Sequence, residues 1–185
     1  MTLSDVLYFH ISTEAPVAAN LDWRSDYASF PAVVSIAWVF KGAKHFALAC
    51  QEGLNAFLDD CYAAPLLCGY NLHASVSAIK AQVLKWYGQE YYEEMAVGEA
   101  LHKRKRIDIM LRSKCWTEAR SADGRLRFPR LEDIYTRCFP GERRSAGSPP
   151  EAVELLRLVL PRLVLEGLVE LKEREYAENA RISQI

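Results

Sequence analysis

The chain has no Cys-x-x-Cys pair, no apolar run approaching about 18 residues and no charged-then-apolar leader, and each absence excludes a class of protein. Its cysteines, Cys50, Cys61, Cys68, Cys115 and Cys138, are odd in number and widely spaced. They suit neither a disulfide framework nor a zinc knuckle, and read as reduced thiols. Without a long apolar run no membrane span is expected. With Asp5 in place of a basic leader, the expected location is the cytoplasm.

What is present suits one ordinary domain. The 185 residues are 50% hydrophobic, enough to bury a core, and residues 1–185 are read as one unit with 150–185 forming a C-terminal helix and tail. The net charge of −1 conceals an uneven distribution. Between Leu101 and Ser145 stand 13 Lys/Arg against 6 Asp/Glu, a local excess of +7 that leaves −8 elsewhere. Such a basic stretch can hold phosphates even on a nearly neutral protein, or it can simply solvate a surface.

The order of elements follows from periodicity and turn residues. Strands are expected at Val6–His10, Val33–Phe40, Lys44–Leu48, Leu66–Cys68 and Ile107–Met110, where β-branched and aromatic residues cluster. Helical spacing marks Glu52–Ala64, Ser75–Trp86 (ended by Gly88), Leu131–Phe139 and Glu151–Leu171. Three strands followed by alternating strands and helices indicate an α/β fold with a mixed five-stranded sheet flanked by helices.

Four stretches then match one family in order and spacing. They are the opening "VLYFHISTEAP", "FPAVVSIAWVF", "GYNLHAS" and "FPRLEDIYTRCFPGE". Together they resemble the DEDDh 3′ to 5′ exonucleases, relatives of the proofreading subunit of bacterial replicative polymerase, from about Val6 to Leu165. The resemblance implies an RNase H-like fold and a two-metal hydrolysis in which four carboxylates hold divalent ions and a histidine activates water. Carried over residue by residue, it also implies that the catalytic set is missing. The first aspartate and glutamate fall on His10 and Ser12, the second-motif aspartate on Ser75, the general base on Arg144 and the last ligand on Pro149. A hard divalent cation needs oxygen ligands with charge, which serine does not supply, and Arg144 would repel it. His10 and His73 lack a third partner for zinc, and Asp108, outside the family's metal set, is assigned no role. The expectation is therefore a pseudoenzyme with no metal and no cofactor, against the alternative of an active metal-dependent exonuclease with relocated ligands.

Two features bear on partners. Lys103, Arg104, Lys105, Arg106, Arg112, Lys114, Arg125, Arg127 and Arg130, with Arg120 among them, interleave with Trp116 and Phe128. Cations that contact phosphates beside aromatics that stack on bases describe a surface for single-stranded nucleic acid; the other reading is a solvated loop over core aromatics. In "ELLRLVLPRLVLEGLVEL", Leu155, Leu156, Leu158, Val159, Leu160, Leu163, Val164 and Leu165 surround nearly the whole helix, which Pro161 would kink. That circumference implies burial on several sides, either inside its own domain or against a homodimer or other protein partner through Leu156, Val159 and Leu163.

Overall fold

The computed structural model describes residues 2–18, 21–103 and 105–171, without the side chains of His102 and Lys103. Five strands form one sheet: β1 (Val6–Thr13), β2 (Val33–Phe40), β3 (Ala43–Leu48), β4 (Leu66–Gly69) and β5 (Lys105–Asp108). Their order is β3-β2-β1-β4-β5. The β1–β2 and β2–β3 pairs are antiparallel, whereas β1–β4 and β4–β5 are parallel. The two-residue turn between β2 and β3 places Lys41 and Gly42 at φ 49° and 84°, the left-handed conformation that lets a tight hairpin follow the sheet's twist.

Among the described residues five α-helices cover the sheet: α1 (Gln51–Ala63), α2 (Leu72–Glu94), α3 (Ile109–Thr117), α4 (Leu131–Cys138) and α5 (Pro149–Leu165). Alternation along the strands divides the apolar residues into two layers. Leu7, Phe9, Ile36 and Trp38 pack with Leu54 and Phe57 of α1 and Val76 and Ile79 of α2. Val6, Tyr8, Val39 and Ile107 pack with Ile134 and Tyr135 of α4 and Leu156, Val159 and Leu163 of α5. The expected α/β class and mixed five-stranded sheet are thus present, and no helix among the described residues is long and apolar enough to cross a membrane.

Several boundaries differ from expectation, each for a local reason. β1 continues to Thr13, because Ile11 joins the core and Ser12 and Thr13 still pair with β2, so His10 lies inside the strand rather than at its tip. β5 covers Lys105–Asp108 rather than Ile107–Met110, because the Asp108 carboxylate caps α3, an unexpected helix. α2 starts three residues before Ser75; at Gly88 (φ 79°, ψ 178°) the backbone leaves helical geometry, so the first helical segment ends there as expected and a second continues to Glu94 beyond the kink. α5 stops at Leu165: Gly167 at φ 70° lets its own amide and that of Leu168 bond back to Val164 O and Leu163 O, closing the helix instead of extending it to Leu171.

The partner surface expected on α5 is corrected by the same packing. Leu156, Val159 and Leu163 are each 0% exposed and lie within the protein's own core. The sheet face formed by β1, β2 and β4 needs a cover, and these side chains supply it, which leaves none of them for a second chain. Only Leu158 and Leu165 of the apolar circumference reach solvent substantially.

Candidate functional site

The site expected from the sequence lies where β1, β4 and β5 run parallel and their carboxyl ends meet the starts of α2 and α3, the usual place for ligands in open α/β sheets. Asp108, set aside in the sequence, is central here. Its Oδ2 accepts from Leu72 N at 2.7 Å and its Oδ1 from Met110 N at 3.0 Å. One carboxylate thereby caps two helix starts, supplying acceptors for amides that have no partner within a helix. Burial raises the Asp108 pKa against the lowering effect of these amides.

His10 and Ser12 share the strand face with Tyr8, the face covered by α4 and α5. Ser12 Oγ lies 2.7 Å from Ser35 Oγ on β2. His10 Nδ1 is buried and has no hydrogen-bond partner. Burial holds the His10 imidazole below its ordinary pKa, with the Glu132 carboxylate pulling the other way. Ser75 stands in the first turn of α2, whose Val76 and Ile79 pack on the opposite sheet face, and its Oγ donates to Asn71 O at 3.3 Å. Among the described residues no hydrogen bond or ion pair joins Ser75 or the exposed His73 to His10 or Ser12.

The counterparts of the last family motif form the connection into α5. Glu132 Oε1 accepts from Ala146 N at 3.0 Å, pinning that connection to α4. The Arg144 guanidinium lies 5.7 Å over the Tyr135 ring, and Pro149 is the first residue of α5. Arg144 also lines a groove of about 580 Å³ bounded by Ala37, Val39, Lys44, Glu151 and Glu154. Around Tyr70, burial and then the charges of Glu132, Asp108 and Asp133 raise the phenol's pKa. Each of these carboxylates is already engaged, Asp133 with the Arg127 guanidinium and Arg130 N at 2.8 Å each. Among the described residues no three His, Cys, Asp or Glu side chains are grouped to hold a metal ion.

The basic residues do not form one uniform stripe. Arg127 is tied to Asp133 and to the carbonyls of Arg120 and Phe128, Arg120 donates to Gly124 O at 2.7 Å, and Arg125 pairs with Asp123 at 3.4 Å. These bonds shape the loop between α3 and α4. Lys105 and Arg106, expected at the surface, are half-buried in β5, where strand pairing draws them in, and Arg106 donates to Leu101 O at 3.4 Å. Arg104 and the side chain of Lys103 lie outside the described residues. Arg112 and Arg130 are exposed, and Lys114 Nζ sits 4.3 Å over the ring of Phe128, itself 46% exposed. Trp116 is half-buried against the layer formed with α4 and α5, with the Arg137 guanidinium 5.5 Å above it. Compared with known proteins, the chain matches no family model and no curated sequence.

His10 sets a measurable pH dependence. Its folded pKa lies below the unfolded value of about 6.5, so as pH falls through that value the unfolded chain takes up the proton first and stability declines. The slope cannot exceed about 1.4 kcal/mol per pH unit for one proton. Urea unfolding between pH 5 and pH 7 should show a shallower decline in His10→Gln than in the unmodified protein. Parallel curves would show that His10 is not buried in its neutral form.

Proposed function

We propose that this chain is a catalytically inactive, RNase H-like exonuclease relative that acts by binding, with single-stranded nucleic acid as its ligand. The observation that carries this reading is the chemistry at the carboxyl ends of the parallel strands. The positions that the resemblance assigns to metal ligands hold His10, Ser12, Ser75 and Pro149, and Ser12 is engaged by Ser35. The nearby acids Asp108, Glu132 and Asp133 are engaged by backbone amides or an arginine. Binding is supported by the α3–α4 side, where an exposed aromatic ring with a lysine above it stands among exposed arginines. Such a surface contacts phosphates without sequence preference and offers a base a ring to stack on.

Three measurements test it. Single- and double-stranded DNA and RNA should remain intact with Mg²⁺ or Mn²⁺, and millimolar Mg²⁺ should leave the melting temperature unchanged, because a ligand of the folded state must raise it. Metal-dependent cleavage would favour the rival reading, an exonuclease with relocated ligands. Labelled single strands should bind at ~50 mM salt, with log affinity falling against log salt by about 0.7 per phosphate contacted. Joint reversal of Arg112 and Arg130 to glutamate should lower both affinity and slope, and Phe128→Ala should cost about 1–3 kcal/mol of binding for each stacked base lost. No binding at that salt, or binding indifferent to these changes, would replace nucleic acid with a protein-assembly role.

A further inference from the structure

We propose that β3 is a pairing edge through which two copies of this chain join their sheets, antiparallel and centred on Phe46. β3 is the terminal strand of the sheet, so among the described residues one side of its backbone has no neighbouring strand. It pairs with β2 in regular register from Ala43 to Leu48, and contains no proline, glycine or bulge that would blunt an edge. Ala49 N donates to Val34 O at 2.8 Å. Antiparallel alternation then turns the backbone groups of Ala43, His45 and Ala47 toward β2, and those of Lys44, Phe46 and Leu48 outward.

The outward-facing residues also carry the exposed apolar side chains. Phe46 is 55% and Leu48 68% exposed, unusual for large apolar residues on adjacent positions of one strand face. The two basic side chains of the strand already make contacts within the protein. Lys44 Nζ lies 2.6 Å from Glu154 on α5, and the His45 ring stacks on Trp38 with centroids 4.9 Å apart.

The strand's sequence is complementary to itself in one register. With Phe46 opposite the partner's Phe46, Lys44 falls opposite the partner's Leu48 and the reciprocal pair follows. All three outward residues then exchange backbone bonds, roughly six in total, because each closely bonded antiparallel pair contributes two. Phe46 and Leu48 of both copies meet on one sheet face, and no like charges stand opposite each other. Sliding by two residues one way puts His45 opposite the partner's His45; sliding the other way leaves Lys44 without an outward partner in β3. Either slip forfeits two backbone bonds. A second copy is therefore the occupant that this edge fits.

Sedimentation equilibrium from about 1 to 100 μM tests the proposal, with a dimer expected. Phe46→Lys places two positive charges opposite each other at the centre, and Phe46→Pro removes an outward N–H that β2 does not use. Each should weaken association at least about 30-fold, which corresponds to about 2 kcal/mol, while the melting temperature changes little. If the proline variant fails to fold, the lysine variant decides. In a Cys50→Ser, Cys115→Ser background, Phe46→Cys should crosslink on oxidation, because the opposed Cα atoms would be about 5.5 Å apart. A monomer throughout the range, a dimer unaffected by Phe46→Lys, or crosslinking through His45→Cys in preference to Phe46→Cys would overturn it.

Discussion

Replacing Leu156 with aspartate is expected to unfold the protein rather than split an assembly. Leu156 has no exposure and packs in the layer that joins β1, β2 and β4 to α5. Truncating a buried leucine costs about 2–5 kcal/mol, and a carboxylate without a partner in that layer adds several more. Against a total stability of about 5–15 kcal/mol, the sum removes most or all of the folded population. Leu163→Asp should behave alike, whereas Leu165→Asp, at a side chain 77% exposed, should change stability by less than about 0.5 kcal/mol. Far-ultraviolet circular dichroism and urea titration of the three variants check this. A folded, monomeric Leu156→Asp variant would return α5 to the role of an intermolecular surface.

The contrast within α5 shows how far the sequence could be read. Its leucines and valines announce a helix buried on several sides, but periodicity does not say whether the burying surface comes from the same chain. The answer depends on the bare face of β1 and β2, which is set by long-range pairing. β2 is legible to the residue because VVSIAWVF is both β-branched and apolar, as a strand covered on both faces must be. β5 was displaced by two residues because Asp108 looks like a strand residue until its two helix starts are in place. The edge position of β3 has no local signal either, since the same six residues would read alike in the middle of a sheet.

The candidate site divides in the same way. That His10 and Ser12 share a face follows from the two-residue period of a strand. The place of Ser75 depends instead on how α2 packs, and the fate of the basic residues on the loop between α3 and α4. Arg127 reads as a free phosphate contact in the sequence, yet the turn at Gly124 brings it back to Asp133 and to the carbonyls of its own loop. Among the described residues Arg112 and Arg130 have no comparable tie, and both are exposed.

Lys80→Met is expected to stabilise the protein. Lys80 is 1% exposed within α2, and its ammonium lies 4.4 Å over the Trp23 ring, with a second cation, Arg24, 5.2 Å from the same ring. Among the described residues no carboxylate is paired with it. Burial, with Arg106 and Arg24 adding repulsion, lowers its pKa from 10.5 to about 7. The folded state therefore loses this proton more readily than the unfolded chain, and the penalty for holding the lysine is greatest below pH 7 and disappears as pH rises toward 10.5. At neutral pH that penalty is on the order of 2–4 kcal/mol. Methionine keeps most of the buried stem and removes the charge, while giving up a cation–π contact worth about 0.5–2 kcal/mol. The net gain should be about 2 kcal/mol at pH 7, or roughly 4–8 °C in melting temperature for a chain of this size. The gain should shrink steadily between pH 7 and pH 9. A variant less stable than the unmodified protein at pH 7, or a difference independent of pH, would mean that the Lys80 ammonium contributes to holding the fold together.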